Sequence, residues 1–301
     1  MNDGLLKKNM KQAILITAYK NYHHLEEIIK FFDDNFELYI HIDKKSKISD
    51  IELDNLKKYD TVKLVSQKYK VNWGGFNHLK SILYLIEQAL KNPQNQYFHL
   101  ISGHDYPIKK LSYFVEFFKN KKAEYINYFE VPRLGGADNG GMDRIEYYSF
   151  YDLLNAKIPG QNKLIRYLIN IQKKLGFKRS ISSKMPKLYS GSTWWSLSRV
   201  CLNYVTEYTK SNKFVLNRFR FTLCSEEFYF QTVIMNSNFS SKVVNNSLRH
   251  IDWFARNGNN PAVLDETDYE KVVKTDAVFA RKFEYPLSNG IMKKIKNLVS
   301  E

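Results

Sequence analysis

Two adjacent carboxylates open a predicted helix in the second half of the sequence. The stretch SEEFYFQTVIMNS begins at Ser225 and places Glu226 and Glu227 at the start of an apolar run. A carboxylate held against a hydroxyl group can act as a general base. The same residues also suit plain helix capping, with serine as the cap and the acids complementing the helix dipole. Because successive helical residues point about 100° apart, the two carboxylates cannot both face one reacting hydroxyl.

Two cations in apolar surroundings are candidates for stabilising a departing anion. Arg249 lies within LRHIDW, and Lys282 lies within VFARKFEYP. A positive group that faces charge as it develops in a transition state accelerates the reaction. Arg249 could instead form a structural ion pair, and Lys282 could be an ordinary solvated lysine. The residues alone leave both alternatives open.

Three predicted strands end in residues that could contact a ligand. The stretch FHLISGHDYPIK carries a strand into a tight loop that contains Asp105. The strand FELYIHID ends at Asp43, and the first strand closes with Thr17 and Ala18. Ligands of open parallel sheets bind at the carboxyl ends of the strands. The sequence therefore predicts a binding site where these three strand ends meet.

The acidic residues do not form a metal-binding pattern. The sequence contains no Asp-x-Asp, HExxH or CxxC, and Lys44 and Lys45 follow Asp43, where they would repel a cation. Neither a GxGxxG turn after the first strand nor a P-loop is present, which disfavours those nucleotide sites. We therefore expect no metal ion and no bound cofactor. Arginine and lysine side chains would neutralise any diphosphate.

Apolar periodicity predicts alternating strands and helices in the first half of the chain. Continuous apolar runs indicate buried strands, and apolar residues three to four positions apart indicate helices. The predicted strands are 12–19, 36–43, 61–65, 97–102 and 124–128, and the predicted helices are 22–34, 76–91 and 111–120. This order is typical of an α/β fold with a mainly parallel sheet flanked by helices.

The second half of the chain is predicted to be less regular. Residues 131–160 are rich in glycine and indicate an irregular insertion, which is usually functional or mobile. A strand block at 187–198 contains GSTWW, and further helices are predicted from 199, from 226 and at 269–274. Trp194 and Trp195 point to opposite faces of the strand. One of them therefore belongs to the core, and the other is free to stack on a sugar ring.

The composition narrows the classes of partner. Of 301 residues, 44% are apolar, which is enough for a sizeable core. The net charge of +15 indicates an anionic partner. The lysines are dispersed and no zinc-finger, RNP or helix-turn-helix pattern occurs, so we expect no nucleic acid. The two cysteines, Cys201 and Cys224, sit in apolar stretches typical of buried free thiols.

No segment of the sequence is predicted to target or cross a membrane. The first apolar run, AILITAY, is too short for a signal peptide, and no run approaches the ~20 residues of a membrane span. The high usage of lysine, asparagine, isoleucine and tyrosine is typical of an AT-rich bacterial genome. We therefore expect a cytoplasmic bacterial protein that associates peripherally with the anionic inner face of the plasma membrane.

Eight stretches taken together resemble one enzyme family. They are AILITAYKN, YIHIDKKS, VNWGGFNHLKS, YFHLISGHDYPIK, GSTWWSLSR, SEEFYFQTVIMNS, LRHIDW and FARKFE, in the family's order between about residues 12 and 285. They resemble the core-2/I-branching β-1,6-N-acetylglucosaminyltransferase family, which includes the peptide O-xylosyltransferases. The resemblance implies a GT-A-type fold in a single domain, 1–301. Within it, 12–130 would bind the nucleotide sugar, 131–285 would bind the acceptor and catalyse, and 286–301 would form a basic tail.

The resemblance also implies residue roles in an inverting, metal-independent transfer from a UDP-sugar. Glu227 matches the catalytic base. The pair that stabilises the departing diphosphate matches Arg249 and Lys282. The other implied contacts with the UDP-sugar are Thr17, Ala18, Asp43 and Asp105, and the implied acceptor contacts are Glu130, Arg144, Trp194 and Trp195.

The expected reaction moves N-acetylglucosamine, in β linkage, to a hydroxyl of a glycan acceptor. The expected acceptor is a lipid-linked glycan of bacterial surface polysaccharide biosynthesis. The chain lacks the membrane anchor and lumenal cysteine network of animal members, so their acceptors are not expected. One alternative is the same fold with UDP-xylose, UDP-glucose or UDP-galactose. The other is a catalytically silent module that binds sugar or nucleic acid.

Overall fold

Strands and helices alternate along the first half of the chain, as the apolar periodicity predicts. The computed structural model describes residues 10–300, so residues 1–9 and 301 of the predicted domain lie outside the described range. The strands are β1 Lys11–Ala18, β2 Phe36–Ile42, β3 Val62–Ser66, β4 Asn95–Ser102, β5 Asp105–Pro107, β6 Glu124–Ile126, β7 Phe129–Glu130, β8 Tyr189–Ser190, β9 Trp195–Ser198, β10 Val243–Val244, β11 Arg249–Ile251 and β12 Phe279–Arg281. The helices are α1 Tyr22–Phe31, α2 Asp50–Lys57, α3 Phe76–Ala89, α4 Leu111–Phe118, α5 Ala137–Gly140, α6 Asp143–Glu146, α7 Pro159–Lys174, α8 Arg199–Ser211, α9 Lys213–Arg218, α10 Glu226–Met235, α11 Tyr269–Lys274 and α12 Asn289–Ser300.

Seven strands form the central sheet in the order β10-β6-β9-β4-β1-β2-β3. Strands β4, β1, β2 and β3 are parallel, β10 is parallel to β6, and β9 is antiparallel to both of its neighbours. The predicted α/β class with a mainly parallel sheet flanked by helices is confirmed. The chain leaves β1 towards β2 on one side and reaches β4 on the other. Such a reversal of strand order opens a crevice at the carboxyl ends of the strands.

Alternating side chains of β1 pack into two separate core layers, one on each face of the sheet. Ile14 and Ile16 pack with apolar side chains of α1, α2, α4, α11 and α12 on one face of the sheet. Ala13 and Leu15 pack with side chains of α3, α8, α9 and α10 on the other face. Every residue from Ala13 to Ile16 is fully buried. This double burial explains why the strand appears in the sequence as one continuous apolar run.

Several elements differ from the sequence-based expectation, among them two helices, a short strand and the C-terminal segment. Helices α2 and α7 are not predicted. Helix α2 buries only Leu56, and the apolar stripe of α7 lies largely on its exposed side, with Ile165 as its one buried residue. The loop predicted around Asp105 contains the short strand β5. The segment predicted as a basic tail forms helix α12, which buries Ile291, Met292, Ile295 and Val299.

Two small sheets fix the loops at the edge of the central sheet. Strand β12 runs parallel to β11 and antiparallel to β5, which places Arg281 opposite Asp105. Strands β7 and β8 form a two-stranded antiparallel sheet beside α10. Gly191 follows β8 at a point where an added Cβ atom would lie 1.9 Å from the carbonyl oxygen of Asn127. Only glycine fits there, so the GSTWW stretch depends on its first residue for a close approach of backbones.

Candidate active site

The predicted strand ends meet at the carboxyl edge of the central sheet. Thr17 pairs with Ser102 of β4 in the β-ladder, and its carbonyl accepts a hydrogen bond from the amide of Gly103 at 2.9 Å. The carbonyl of Ala18 accepts a hydrogen bond from the amide of Asp43 at 2.8 Å. An added Cβ atom on Gly103 would lie 3.0 Å from the Cβ atom of Ala18, so this glycine allows the strand ends to approach.

Asp43 organises the loop that follows β2. Its Oδ1 atom accepts hydrogen bonds from the amides of Lys45 and Val71 at 3.0 and 2.9 Å. The Lys45 ammonium lies 2.5 Å from Asn72 Oδ1, and the Asn72 amide donates to the carbonyl of Tyr151 at 2.7 Å. The loop is thereby tied to the 131–160 insertion. Asp43 therefore lies at the predicted edge of the sheet, and its Oδ1 atom holds the backbone of the following loop in place.

Asp105 is at the same edge but faces inward. Its side chain is completely buried, and its Oδ2 atom accepts hydrogen bonds from the amide and the hydroxyl of Ser102. Its Oδ1 atom is buried without a partner within the described residues. Asp105 therefore fixes the turn after β4 and places a negative charge beneath Arg281, its partner across the small sheet. Contact with a nucleotide sugar would require the Oδ1 atom to be uncovered.

The two carboxylates at the start of α10 point in different directions, as the helical geometry requires. Ser225 does not cap the helix with its side chain, which removes the capping alternative for this residue. The Glu226 Oε1 atom lies 3.0 Å from His78 Nδ1, and His78 Nε2 lies 3.4 Å from the hydroxyl of Thr17. Glu226 is thus connected through His78 to the edge of the sheet, and Glu227 faces elsewhere.

Glu227 is the carboxylate that remains available to a substrate. Its Oε2 atom accepts a hydrogen bond from the Arg144 guanidinium at 2.7 Å, and the Thr193 hydroxyl lies 3.5 Å from Oε1. The side chain is 28% exposed. Burial is the largest influence and raises the pKa of Glu227; Arg144 opposes this shift, and the negative charge of Glu226 adds to it. A carboxylate with a raised pKa is a stronger base than an exposed one.

Arg144 holds Glu227 from the insertion that the sequence predicts to be irregular. The residue lies on α6, and its guanidinium donates to the carbonyl of Leu223 at 3.0 Å as well as to Glu227. The guanidinium also lies 4.6 Å from the centroid of the Phe228 ring. The prediction that Arg144 and Glu227 belong to one site is consistent with this contact, although Arg144 was expected to contact the acceptor.

The guanidinium of Arg249 is bound by acceptors inside the protein and is not grouped with the ammonium of Lys282. Its Nη1 atom donates to the Ser196 hydroxyl and the carbonyl of Ser247, and its Nη2 atom donates to the carbonyls of Leu100 and Trp195. Burial lowers the pKa of Arg249 to about 9. The residue therefore joins β4, β9 and β11 inside the protein. The expected contact between Arg249 and a diphosphate is at odds with this geometry, because all four terminal N–H groups face protein acceptors.

Arg281, on the strand that pairs with the strand of Arg249, carries a second buried guanidinium near the candidate site. The guanidinium carbon lies 4.2 Å from the centroid of the Trp194 ring, and the described part of the chain provides no hydrogen-bond partner for the buried Nε atom. Burial lowers the pKa of Arg281, and the nearby carboxylates of Asp105 and Glu227 partly offset that effect. Arg281 thus lies close to Glu227 with its N–H groups uncommitted. It precedes Lys282 in the FARKF stretch, which is the signal that could have identified it.

Lys282 is held beside Arg281 by an acidic neighbour. Its ammonium lies 2.8 Å from Glu284 Oε1, and the ammonium of Lys20 lies 3.0 Å from Glu284 Oε2. Burial by itself raises the pKa of Glu284, but hydrogen bonds from Lys282 and Lys20 outweigh it and lower the pKa to about 2. Glu284 therefore stays ionised and keeps two lysines at the edge where β1 ends. No sequence pattern marks Lys20 or Glu284 as a site residue.

The remaining predicted acceptor residues are divided between the site and other parts of the molecule. Trp195 is fully buried against Phe230 and belongs to the core, as expected for one of the pair. Trp194, which directly precedes β9, is only 8% exposed, packs in the same core layer and lies under Arg281, so both tryptophans belong to the core, contrary to the expectation that only one does. Glu130 lies on β7, where its exposed carboxylate pairs with Lys187 at 2.6 Å. Among residues 10–300, the Glu130 carboxylate contacts no cation other than Lys187.

The shape of the surface does not locate the site by itself. An open depression of about 580 Å³ lies near α4, α11 and α12, and none of its lining residues is a candidate site residue. No group of three histidine, cysteine, aspartate or glutamate side chains is arranged to hold a metal ion between residues 10 and 300. Over the same span, no helix is long and apolar enough to cross a membrane. The site is therefore identified by its side chains.

Curated proteins that are similar to this chain include enzymes named for sugar transfer. The chain is 24% identical to Xylosyltransferase oxt of Drosophila pseudoobscura pseudoobscura over 95% of its own length and 33% of that protein. It is 25% identical to Xylosyltransferase 2 of Canis lupus familiaris over 93% of its own length and 32% of that protein. It thus spans about a third of these relatives. A shorter match, 36% identical over 35% of the chain and 25% of the relative, is to Beta-glucuronosyltransferase GlcAT14B of Arabidopsis thaliana.

The chain also matches one solved glycosyltransferase structure and one family profile. The WbbM bifunctional glycosyltransferase aligns with 97% of this chain and 50% of its own at 10% identity, with a TM-score of 0.41, on which no conclusion is based. The profile described as Branch: Core-2/I-Branching enzyme matches residues 13–273. That match covers most of the chain and includes the carboxyl edge of the sheet and the start of α10. The chain therefore belongs to the Core-2/I-Branching enzyme family.

Proposed function

We propose that this chain transfers a sugar from a UDP-sugar to a hydroxyl group of a glycan acceptor. The observation that carries the proposal is the position of Glu227, a carboxylate with a raised pKa beside an uncommitted guanidinium, that of Arg281. A base on one side of a reacting carbon and cations on the other are what a displacement at that carbon requires. Family membership supports the same reaction class.

The proposed reaction is an inverting displacement. Glu227 accepts the proton of the acceptor hydroxyl as its oxygen forms a bond to the anomeric carbon. The bond from that carbon to the UDP oxygen breaks, and the electron pair leaves with UDP. Arg281 and Lys282 stabilise the negative charge on the leaving phosphate, so no metal ion takes part. Since the base and the leaving group lie on opposite sides of the carbon, its configuration inverts.

The donor that we propose first is UDP-N-acetylglucosamine, in keeping with the branching activity in the family's description. The relatives' names favour UDP-xylose and a UDP-uronic acid as the next candidates. A thermal-shift screen of UDP-sugars separates them, because a ligand at about 100 times its dissociation constant stabilises the protein by roughly 2.7 kcal/mol. The acceptor that we propose is a lipid-linked glycan of bacterial surface polysaccharide assembly. The net charge of +15 supports an anionic setting for it.

The test of the mechanism is a pair of isosteric variants at the start of α10. Glu227→Gln removes the proton acceptor but keeps its shape, so we expect it to fold, to bind the UDP-sugar normally and to lose at least ~100-fold in transfer rate. Glu226→Gln is the matched control, since Glu226 faces His78 and should retain most activity. The assignment is wrong if the two variants behave the other way round, or if Glu227→Gln transfers sugar at the native rate.

A further inference from the structure

Helix α7 presents an apolar stripe to solvent. Only Ile165 of this helix is fully buried, whereas Leu164, Tyr167 and Leu175 are 44%, 63% and 76% exposed. At 100° per residue, these three side chains lie within roughly 80° of one another around the helix axis. Phe177, just beyond the helix, is 54% exposed. Large exposed apolar side chains grouped in this way mark an interaction surface.

A row of cations borders the stripe on one side. Lys163, Arg166 and Lys174 are exposed, and no carboxylate of the described residues forms a salt bridge with any of them. The helix contains no aspartate or glutamate. We call the stripe and this row together the α7 surface. Its pattern, with apolar and basic residues side by side along a helix, is that of helices that lie in the interface of an anionic bilayer.

The α7 surface adjoins the candidate active site. Lys157, which precedes the helix, lies with its ammonium 4.2 Å from the centroid of the Tyr19 ring, directly after β1. Lys173 forms an ion pair with Asp143 and Lys178 forms one with Glu146. Both acids lie on α6, the helix that carries Arg144. A surface on which α7 rests would therefore be fixed relative to Glu227.

We propose that the α7 surface binds an anionic lipid bilayer, with the apolar stripe in the headgroup region and Lys163, Arg166 and Lys174 at lipid phosphates. Charge complementarity selects this occupant, because lysine and arginine near an anionic leaflet each contribute to binding. A second copy of this chain would bring a like row of cations, and a net charge of +15, against the first. The inference deepens the proposed function, since it would bring the site to a lipid-linked acceptor.

The experiment measures co-sedimentation of the full chain with vesicles, in the absence of a sugar donor. We expect binding to vesicles of phosphatidylcholine with phosphatidylglycerol, weakened by salt, and little binding to phosphatidylcholine alone. The triple variant Lys163→Ala/Arg166→Ala/Lys174→Ala should bind about 100-fold more weakly. The double variant Tyr167→Ser/Leu175→Ser should also bind more weakly. The matched control, Lys57→Ala/Lys58→Ala/Lys63→Ala, removes the same charge from exposed positions around α2 and should bind as the native chain does.

Three results would overturn the inference. They are an absence of vesicle binding, an equal loss in the control variant, and a dimer in light scattering that the Tyr167→Ser/Leu175→Ser pair dissociates. Transfer to a soluble acceptor distinguishes this failure from failure of the proposed function. Native transfer without vesicle binding contradicts only the α7 surface, and vesicle binding without any transfer contradicts only the proposed function.

Discussion

Arg249 and Arg281 lie in neighbouring strands of one small sheet, yet their guanidinium groups have opposite surroundings. Arg249 donates to three carbonyl oxygens and a hydroxyl, whereas Arg281 covers Trp194 and has no hydrogen-bond partner among the described residues. A buried acceptor that loses its donor costs free energy of folding. A cation that faces a leaving group contributes to the rate instead. The two arginines should therefore differ in what their removal changes.

Arg281→Ala should reduce the transfer rate by ~100- to 1,000-fold, because a cation that stabilises transition-state charge is lost. Its cost in stability should be only about 1 kcal/mol, from the lost contact with Trp194. Arg249→Ala is the counterpart and should lower the free energy of unfolding by ~3 kcal/mol or more, because several buried acceptors lose their donor. Rate measurements and urea unfolding separate the two effects. Normal turnover in Arg281→Ala would contradict the role proposed for this residue.

Arg144 should set the pH dependence of transfer. A general base works only when deprotonated, so the rate falls as the pH drops through the raised pKa of Glu227. Arg144 holds that pKa down, and Arg144→Met should therefore raise it further and move the acid limb of the kcat profile to higher pH. Arg144→Lys should restore part of the shift, and Arg220→Met, which changes an exposed arginine, should leave the profile unchanged. An acid limb that stays in place in Arg144→Met would show that this contact does not tune the base.

At the scale of elements, α12 shows how a lysine-rich segment can be structural. Its lysines face solvent or acidic side chains, with Lys294 near Glu266 and Lys296 near Glu27. Its apolar residues pack into the core layer that α1 and α4 also cover. The helix therefore closes one face of the sheet, and the basic character of the segment belongs only to its outer side.

Ile295→Ala should lower the free energy of unfolding by roughly 2–5 kcal/mol, because it leaves a cavity in a fully buried position. Lys293→Ala, two residues earlier on the exposed side, should change it by less than about 0.5 kcal/mol. Chemical unfolding of the two variants provides the comparison. Equal stabilities would mean that α12 does not contribute to the core in solution.

At the scale of the whole molecule, positively charged side chains gather at the carboxyl edge of the central sheet. Arg281, Lys282 and Lys20 gather at the edge of the sheet, where Glu284 holds two of them. The excess of positive charge extends over the chain as a whole, at +15. Binding of an anionic diphosphate should therefore weaken with salt, since screening acts most strongly on exposed charges.

Transfer should continue unchanged in EDTA, because side-chain cations neutralise the leaving group in the proposed mechanism. The measurement is the initial rate before and after exhaustive chelation, with a metal-dependent transferase treated in parallel to show that chelation was complete. Loss of activity in chelator that manganese restores would rule out the metal-free reaction.

Apolar periodicity was sufficient to predict most of the first half of the fold. Strands β1, β2 and β4 are buried on both faces and are therefore rich in apolar residues, and α1 and α3 bury one regular stripe. The same patterns placed Thr17, Asp43 and Asp105 at one edge. Helix α2 was not predicted because it buries only Leu56 and has a weak periodic pattern. Helix α7 was not predicted although its apolar residues follow helical spacing, because it begins in a segment whose glycines indicate a loop.

Which side chains at that edge are free to act depends on contacts between elements that are distant in the chain. The sequence could say that Glu226 and Glu227 diverge, but contact with His78 on α3 and Arg144 on α6 decided which of them is available. Arg249 and Arg281 look alike as residues, each in an apolar strand. Their roles separate because β12 pairs with β5 and sets Arg281 opposite Asp105, while Arg249 turns towards carbonyl groups of β4 and β9. Pairing between strands far apart in the chain depends on the whole packing arrangement, so no local pattern encodes it.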